Sequence, residues 1–412
     1  MSKALATDLR DAGIENVFVY VADAVRWDAL PETIAARGAV SKTVAASIYS
    51  PTSFVSIVTG RYLPGHGVAS FANRVPDDAF RLFDLAGYET RFRNTIGVAG
   101  GDDPIFRTLQ CPPTDATDPF AELSEPFIVM ERSQGGHAPY GGFEGTAKEY
   151  FAAREDASIE QLRTEYRRGV ERDARAFERR LDALDDAGLR DSTLVIYTAD
   201  HGELLGEGGL FGHTGVMRPE LVYVPTVFVH PKIDARREEG IVRHVDLLPT
   251  ILDVLGVDDS ENADDTEKSE REGLDGTSVA NKGEATAERG CSFYRVEHAL
   301  GSLPLAPVSQ YEGVWDASGG YIHTPSPLRE RLVGLLGDIT QGVERSLVRR
   351  HALSACLSYL SAEGIRGLPR FTPAEGRASL SAAKERGDSA GGSELDLTDD
   401  ARERLHDMGY LI

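Results

Sequence analysis

Short, nearly continuous apolar runs alternate, through the first 257 residues, with longer stretches in which apolar positions recur at helical spacing. NVFVYVA at 16–22 and LVIY at 194–197 read as buried strands, and the segments from Phe127 to Glu131 and from Thr226 to His230 as further strands. Between them, residues 77–93 read as a helix followed by a strand, 145–187 as one or two long amphipathic helices, and 246–255 as a helix capped by Asp246. A further helix is predicted from about Val25 to Arg37. This alternation predicts an α/β three-layer sandwich with a mostly parallel central sheet. Beyond it, CSFYRVEH, YEGVWDA and GYIHTPS read as strands of a small antiparallel sheet, residues 326–390 as mostly helical or loose, and 398–408 as a last short helix. The run DDSENADDTEKSEREG at 258–273 has no apolar periodicity. It divides the chain into a large part, 1–257, an acidic boundary, 258–290, and a smaller C-terminal subdomain, 291–412.

Chemistry-bearing residues fall at the ends of the predicted strands. Asp23 follows the first apolar run, and Asp200 and His201 follow the central one, with Gly202 free to turn the backbone away. In parallel sheets ligands bind at this carboxyl edge. A helix-capping aspartate beside a half-exposed histidine is the structural alternative. Ser50 precedes Pro51, which suits the first turn of a helix running to Gly60, so its hydroxyl is either an ordinary cap or a nucleophile where unpaired N–H groups favour an oxyanion. His137 and His213 each sit in a glycine-rich loop, and neither carries an assignment by itself. Together, two carboxylates and an imidazole can hold a divalent cation. A serine beside that cation can be activated for in-line attack on an anionic ester.

Composition narrows the setting. The formal net charge is −22, and the 44 basic residues comprise 37 Arg but only 7 Lys, a balance that suits a salt-rich cytoplasm and argues against nucleic acid as a partner. No run of eighteen apolar residues occurs and the N-terminus lacks a secretory layout, so a cytoplasmic protein with no membrane partner is expected. The three cysteines are widely spaced and indicate neither a disulfide framework nor a cysteine metal site.

At this point the chain resembles the sulfatase family of the alkaline-phosphatase superfamily, from about Asn16 to Gly256 and again in LTDDARERLHDMGYLI at the end. The family carries its nucleophile nine residues before the Thr of a TGR motif, here Thr59 in SPTSFVSIVTGRYLPGHGV, which implies Ser50. TADHGE with GLFGH downstream resembles the family's second metal motif and its substrate-contacting residue, here His213, and GGHAPY resembles the loop that supplies a substrate-binding histidine, here His137. The resemblance therefore implies metal ligands Asp23, Ser50, Asp200 and His201, catalytic roles for Ser50, His137 and His213, and substrate contacts from Arg61, Asn94, His137 and His213. It implies one divalent ion, with manganese or zinc as plausible as calcium because one ligand is a histidine. The chain departs from the family pattern at Thr52 and Phe54, where Pro and Arg stand in the formylglycine motif, and at Ala24, where a second acid is usual. Ser50 is accordingly expected to stay an unmodified serine. The expected activity is hydrolysis of a small sulfate or phosphate ester. A phosphodiesterase, a transferase that passes the group to an alcohol, and a degenerate anion binder are the alternatives.

Overall fold

A computed structural model describes residues 3–96, 103–114, 118–213, 215–257, 273–281, 287–298, 307–387 and 392–409. The acidic run expected as a boundary lies almost wholly outside the described residues. The central sheet is built from β1 (Asn16–Ala22), β2 (Ala39–Val44), β3 (Glu89–Asn94), β4 (Phe127–Ser133), β5 (Thr193–Thr198), β6 (Tyr223–Val229) and β7 (Arg236–Arg243). Its seven strands run in the order β7-β2-β6-β5-β1-β4-β3. All pairings are parallel except those of β6, which is antiparallel to both β2 and β5. β1, β4 and β5 are buried along their whole length, which is why they read as uninterrupted apolar runs.

Register sets the site. Val21 of β1 is paired with Arg132 of β4 on one side and with Thr198 of β5 on the other. Asp23 and Asp200, each two residues beyond that level, therefore emerge side by side at the carboxyl edge. α1 (Lys3–Asp11) precedes β1. α2 (Ser50–Thr59) is buried at every position, starts with Pro51 in its first turn and stops at Gly60, whose φ of 64° is left-handed. Helix α3 (Ile159–Asp186) covers the sheet with an apolar face that includes Leu162, Tyr166, Phe177 and Leu184. α4 (Leu247–Val254) follows a short 3₁₀ turn at His244–Asp246.

The smaller sheet is antiparallel, in the order β8 (Gly290–Glu297), β9 (Val308–Trp315), β10 (Gly319–His323) and β11 (Gly364–Gly367). Around it lie α5 (Leu328–Thr340), α6 (Ala352–Leu360) and α7 (Pro373–Arg386), and the chain continues to α8 (Asp399–Asp407). One apolar core runs from β1 through Trp315 and Ile322 of the smaller sheet.

Three expectations are corrected. The helix from Val25 to Arg37 is instead a 3₁₀ turn, Trp27–Ala29, and a single helical turn, Glu32–Ala35, because Pro31 breaks the run. The helix expected in 77–93 is reduced to the 3₁₀ turn Leu82–Asp84 before β3. β2 and β7 belong to the sheet although neither was expected. β7, RREEGIVR, buries only Ile241 and Val242 and hides its character behind charged edge residues.

Candidate active site

Asp23, Ser50, Asp200 and His201 are fully buried and converge. Asp23, Asp200 and His201 each offer a ligand atom within 4.8 Å of the other two, and among the described residues theirs is the group of acids and imidazoles that could hold a metal ion. Asp200 Oδ1 accepts from the backbone N–H groups of His201 at 2.9 Å and Ala24 at 3.1 Å. Its Oδ2 is buried without a hydrogen bond, 3.5 Å from His201 Nε2. His201 Nδ1 faces the Gly202 carbonyl at 2.9 Å, which fixes the proton there and leaves Nε2 as the electron-pair donor. An oxygen with no other partner, a second carboxylate and an oriented imidazole fit a divalent cation, and this donor set admits manganese and zinc as well as calcium.

Ser50 Oγ lies 3.1 Å from His201 Nε2 at the first turn of α2. On its other side Arg132 Nη2 donates to it at 3.3 Å. Arg132 is 1% exposed, and its Nε and Nη2 both bond Asp23 Oδ2, at 3.0 and 2.6 Å. Its guanidinium also lies 5.5 Å above the centre of the Phe54 ring. Arg132 thus stands against the side chain that occupies the family's arginine position on the nucleophile helix. Burial alone would push the Asp23 carboxyl up, but Arg132 and the surrounding histidines hold it well below the carboxylate range. For His201 burial acts downward, yet the Asp200 and Asp23 carboxylates prevail and raise it.

The histidine loops meet above this cluster. His213 stacks on His201, ring centres 4.5 Å apart, and stands 5.1 Å from His137. Its Nδ1 lies 3.3 Å from Glu203 Oε2, whose other oxygen accepts from the Tyr140 hydroxyl, so Nε2 is the atom His213 can offer to a substrate. Burial and neighbouring His201 push His213 down to about 3, and burial pushes Glu203 up to about 7. His137 Nδ1 is 2.6 Å from the Ala138 carbonyl. Its loop crosses directly over β1: the Gly136 N–H donates to the Asp23 carbonyl at 2.7 Å, and a Cβ on Gly135 would stand 2.1 Å from that oxygen. Ala24 adopts a left-handed φ of 57°, held by its N–H on Asp200 and by the Tyr166 hydroxyl on its carbonyl at 2.9 Å. Where the family has an acid, this chain contributes a backbone N–H.

Of the two remaining expected contacts, Arg61 stands apart from Ser50, whereas Asn94 is paired with Arg132 in the register of β3 and β4. Arg61 follows the C-terminal end of α2, opposite Ser50 and roughly 15 Å along the helix at 1.5 Å per residue. Asn94 donates to Asp103 at 2.7 Å and accepts from the Ile96 N–H at 3.1 Å, holding the turn after β3. Arg132, Glu203 and Tyr140 were not singled out in the sequence. A signal existed for the first two: ER closes an otherwise apolar strand, and Glu203 completes TADHGE.

The sulfatase family model matches residues 69–257, which include His137, Asp200, His201 and His213 but begin after Asp23 and Ser50. The low-salt glycan biosynthesis sulfotransferase Agl7 of Haloferax volcanii is 32% identical over 323 residues, spanning 76% of this chain and 75% of that protein. The chain belongs to the sulfatase family of the alkaline-phosphatase superfamily. Solved structures agree in fold. The phosphonate monoester hydrolase of Agrobacterium radiobacter superposes with a TM-score of 0.56 at 15% identity, covering 86% of this chain and all of that one (100%). A 2-O glycosaminoglycan sulfatase gives 0.55 at 14% identity, covering 87% of this chain and 96% of that one. Within this sulfatase-family fold the helix opened by Ser50, the Asp-His pair and the histidine loops all stand at the carboxyl edge of the central sheet.

Proposed function

We propose that this chain transfers a sulfuryl group from a small sulfate ester to an alcohol through Ser50. The observation that carries the proposal is the position of Ser50 Oγ, between His201 Nε2 at 3.1 Å and Arg132 Nη2 at 3.3 Å at the start of a buried helix. Asp23, Asp200, His201 and Ser50 would hold one divalent ion. When bound, that ion would lower the pKa of the serine hydroxyl, as it does for water, and offset the charge of the ester.

With its hydroxyl proton given up to solvent beforehand, Ser50 Oγ forms a bond to sulfur as the bond from sulfur to the substrate's alcohol oxygen breaks, giving a serine O-sulfate and a free alcohol. Arg132, held on Asp23 by its fork, offsets the charge of the non-bridging oxygens from the Nη2 that reaches Ser50 Oγ. An entering anion favours the protonated form of His213, and Glu203 behind it steadies the imidazolium, so that Nε2 delivers a proton to the departing oxygen. The neutral His213 then accepts the proton of the incoming alcohol as it attacks sulfur and releases Ser50. Beside His137 a cavity of about 400 Å³, lined by Thr95, Gln134, Phe143, Arg172 and Arg404 among others, offers room for the alcohol portion. Similarity to a sulfotransferase over three quarters of both chains supports an alcohol as acceptor. Water in the same position gives hydrolysis, which the fold likeness to hydrolases supports.

The test uses p-nitrophenyl sulfate with manganese, with and without added hexose. Nitrophenol release that accelerates with hexose and yields a sulfated sugar is the expected outcome. Quenched protein should carry one sulfuryl group on the Ser50 peptide and no formylglycine. Ser50→Ala should lower turnover by at least about 10³-fold, and release that survives this change would remove Ser50 from its role.

A further inference from the structure

Among the described residues the large apolar side chains that are strongly exposed all lie between residues 328 and 368. Leu328, Leu332 and Leu336 recur every fourth residue of α5, and Leu353, Leu357 and Leu360 recur at steps of four and three on α6, so each helix carries an apolar stripe turned to solvent. Their opposite faces are committed inward. α5 packs on α6, Arg331 Nη1 donates to the Tyr359 carbonyl at 3.3 Å, and the Tyr359 hydroxyl donates to Asp338 at 2.6 Å. Ile365 and Leu368, 51% and 83% exposed, extend the face along β11, the edge strand of the smaller sheet. Clustered exposure of this kind marks a contact surface.

Charge selects the partner. Residues 326–370 contain seven arginines against four acids, in a chain whose net charge is −22. Elsewhere surface arginines meet carboxylates, as Arg236 meets Asp8 and Glu238, each at 2.7 Å. Here, among the described residues, only Arg329 has a carboxylate within reach, that of its chain neighbour Glu330 at 4.0 Å. Arg349 and Arg350 instead bond the carbonyls of Ile339 and Glu155, at 2.7 and 2.8 Å, which satisfies their N–H groups but leaves their charge unanswered. A second copy meeting this face across a two-fold axis would set arginine against arginine. A bilayer with anionic headgroups offers phosphates to the guanidiniums and hydrocarbon to the leucines.

We propose that α5, α6 and β11 form a surface that docks this protein peripherally on anionic lipid bilayers. No helix of the described residues is long and apolar enough to cross a membrane, so the contact is interfacial. The expectation of no membrane partner came from hydropathy along the chain, which reports spans and not folded surfaces.

Flotation of the full chain with vesicles tests this. With phosphatidylglycerol vesicles the protein should rise with the lipid, and with phosphatidylcholine vesicles much less. Leu353→Asp with Leu357→Asp should lower the bound-to-free ratio at least about tenfold. Arg329→Glu with Arg370→Glu should lower the preference for phosphatidylglycerol about tenfold. Both double variants alter exposed side chains away from Ser50 and should keep the wild-type melting temperature and turnover of a soluble ester. Wild-type protein that stays with the aqueous fraction, or a leucine variant that floats as well as wild type, overturns the proposal. So does light scattering that finds a dimer which Leu353→Asp with Leu357→Asp dissociates, since a second copy would then cover the face.

Discussion

Arg132 spends its donors on Asp23 and Ser50, so its two roles can be separated by what replaces it. Lysine keeps the charge but loses the fork, and methionine leaves a fully buried carboxylate without its cation. Arg132→Lys should lower kcat about 10²–10³-fold with a modest change in Tm. Arg132→Met should cost in addition about 3–5 kcal/mol of stability, part of which Asp23→Asn restores without restoring turnover. Thermal melts beside steady-state kinetics on the same preparations check both. The sequence disclosed the cluster of Asp23, Asp200 and His201 more readily than this residue. An acid at the end of an apolar run stands out, and Asp200 is followed at once by His201. The two charges that close β4 look alike in sequence, yet successive residues face opposite sides of a sheet. Glu131 turns to Arg93 and Arg180, each at 3.0 Å, while Arg132 turns to Asp23 and Ser50, and only the folded register tells which is which.

Among elements, the loop after β4 is closely confined. Gly135 has a φ of 51° and lies so close to β1 that a methyl group would overlap the Asp23 carbonyl. Gly135→Ala should lift the loop, displace His137 and lower turnover more than about tenfold, with a loss of stability beyond the 1–2 kcal/mol of a left-handed residue alone. Gly87→Ala is the control, because Gly87 has a φ of 84° with nothing within 4 Å of a new Cβ. Melting and turnover of both variants separate the steric effect from the conformational one. Elements followed the same logic of legibility as residues. β1, β4 and β5, wrapped on both faces, were plain in the apolar pattern. β2 and β7 lie toward the far end of the sheet, where Lys42 and the arginines and glutamates of β7 reach the surface, and the pattern that marks a central strand is absent. The helix after Asp23 failed because Pro31 outweighed the helical spacing around it.

For the whole molecule, the buried Asp338 and the half-buried Glu344 of the C-terminal part tie stability to pH. Burial pushes Asp338 up to about 7 and Glu344 up to about 8. Their folded-state values exceed the unfolded ones, so the folded chain binds more protons between them. That contribution is complete below about pH 4 and is lost as pH rises through 7 to 8. Asp338→Asn keeps an acceptor for the Tyr359 hydroxyl and removes the titration, so its Tm should decline less than that of wild type from pH 5 to pH 8, as scanning calorimetry would record. The net charge of −22 makes a second prediction at this scale. Raising KCl from about 0.1 M to about 1 M shortens the screening length from about 10 Å to about 3 Å, and Tm should rise accordingly.

The guanidinium seated on Asp23 gives the chain a counter-ion that is covalently its own. That partner cannot be removed by a chelator, so the buried carboxylate stays neutralised whatever else the pocket holds. The polypeptide can thereby mature with its centre already electrically settled, and its survival does not wait on any mineral supply.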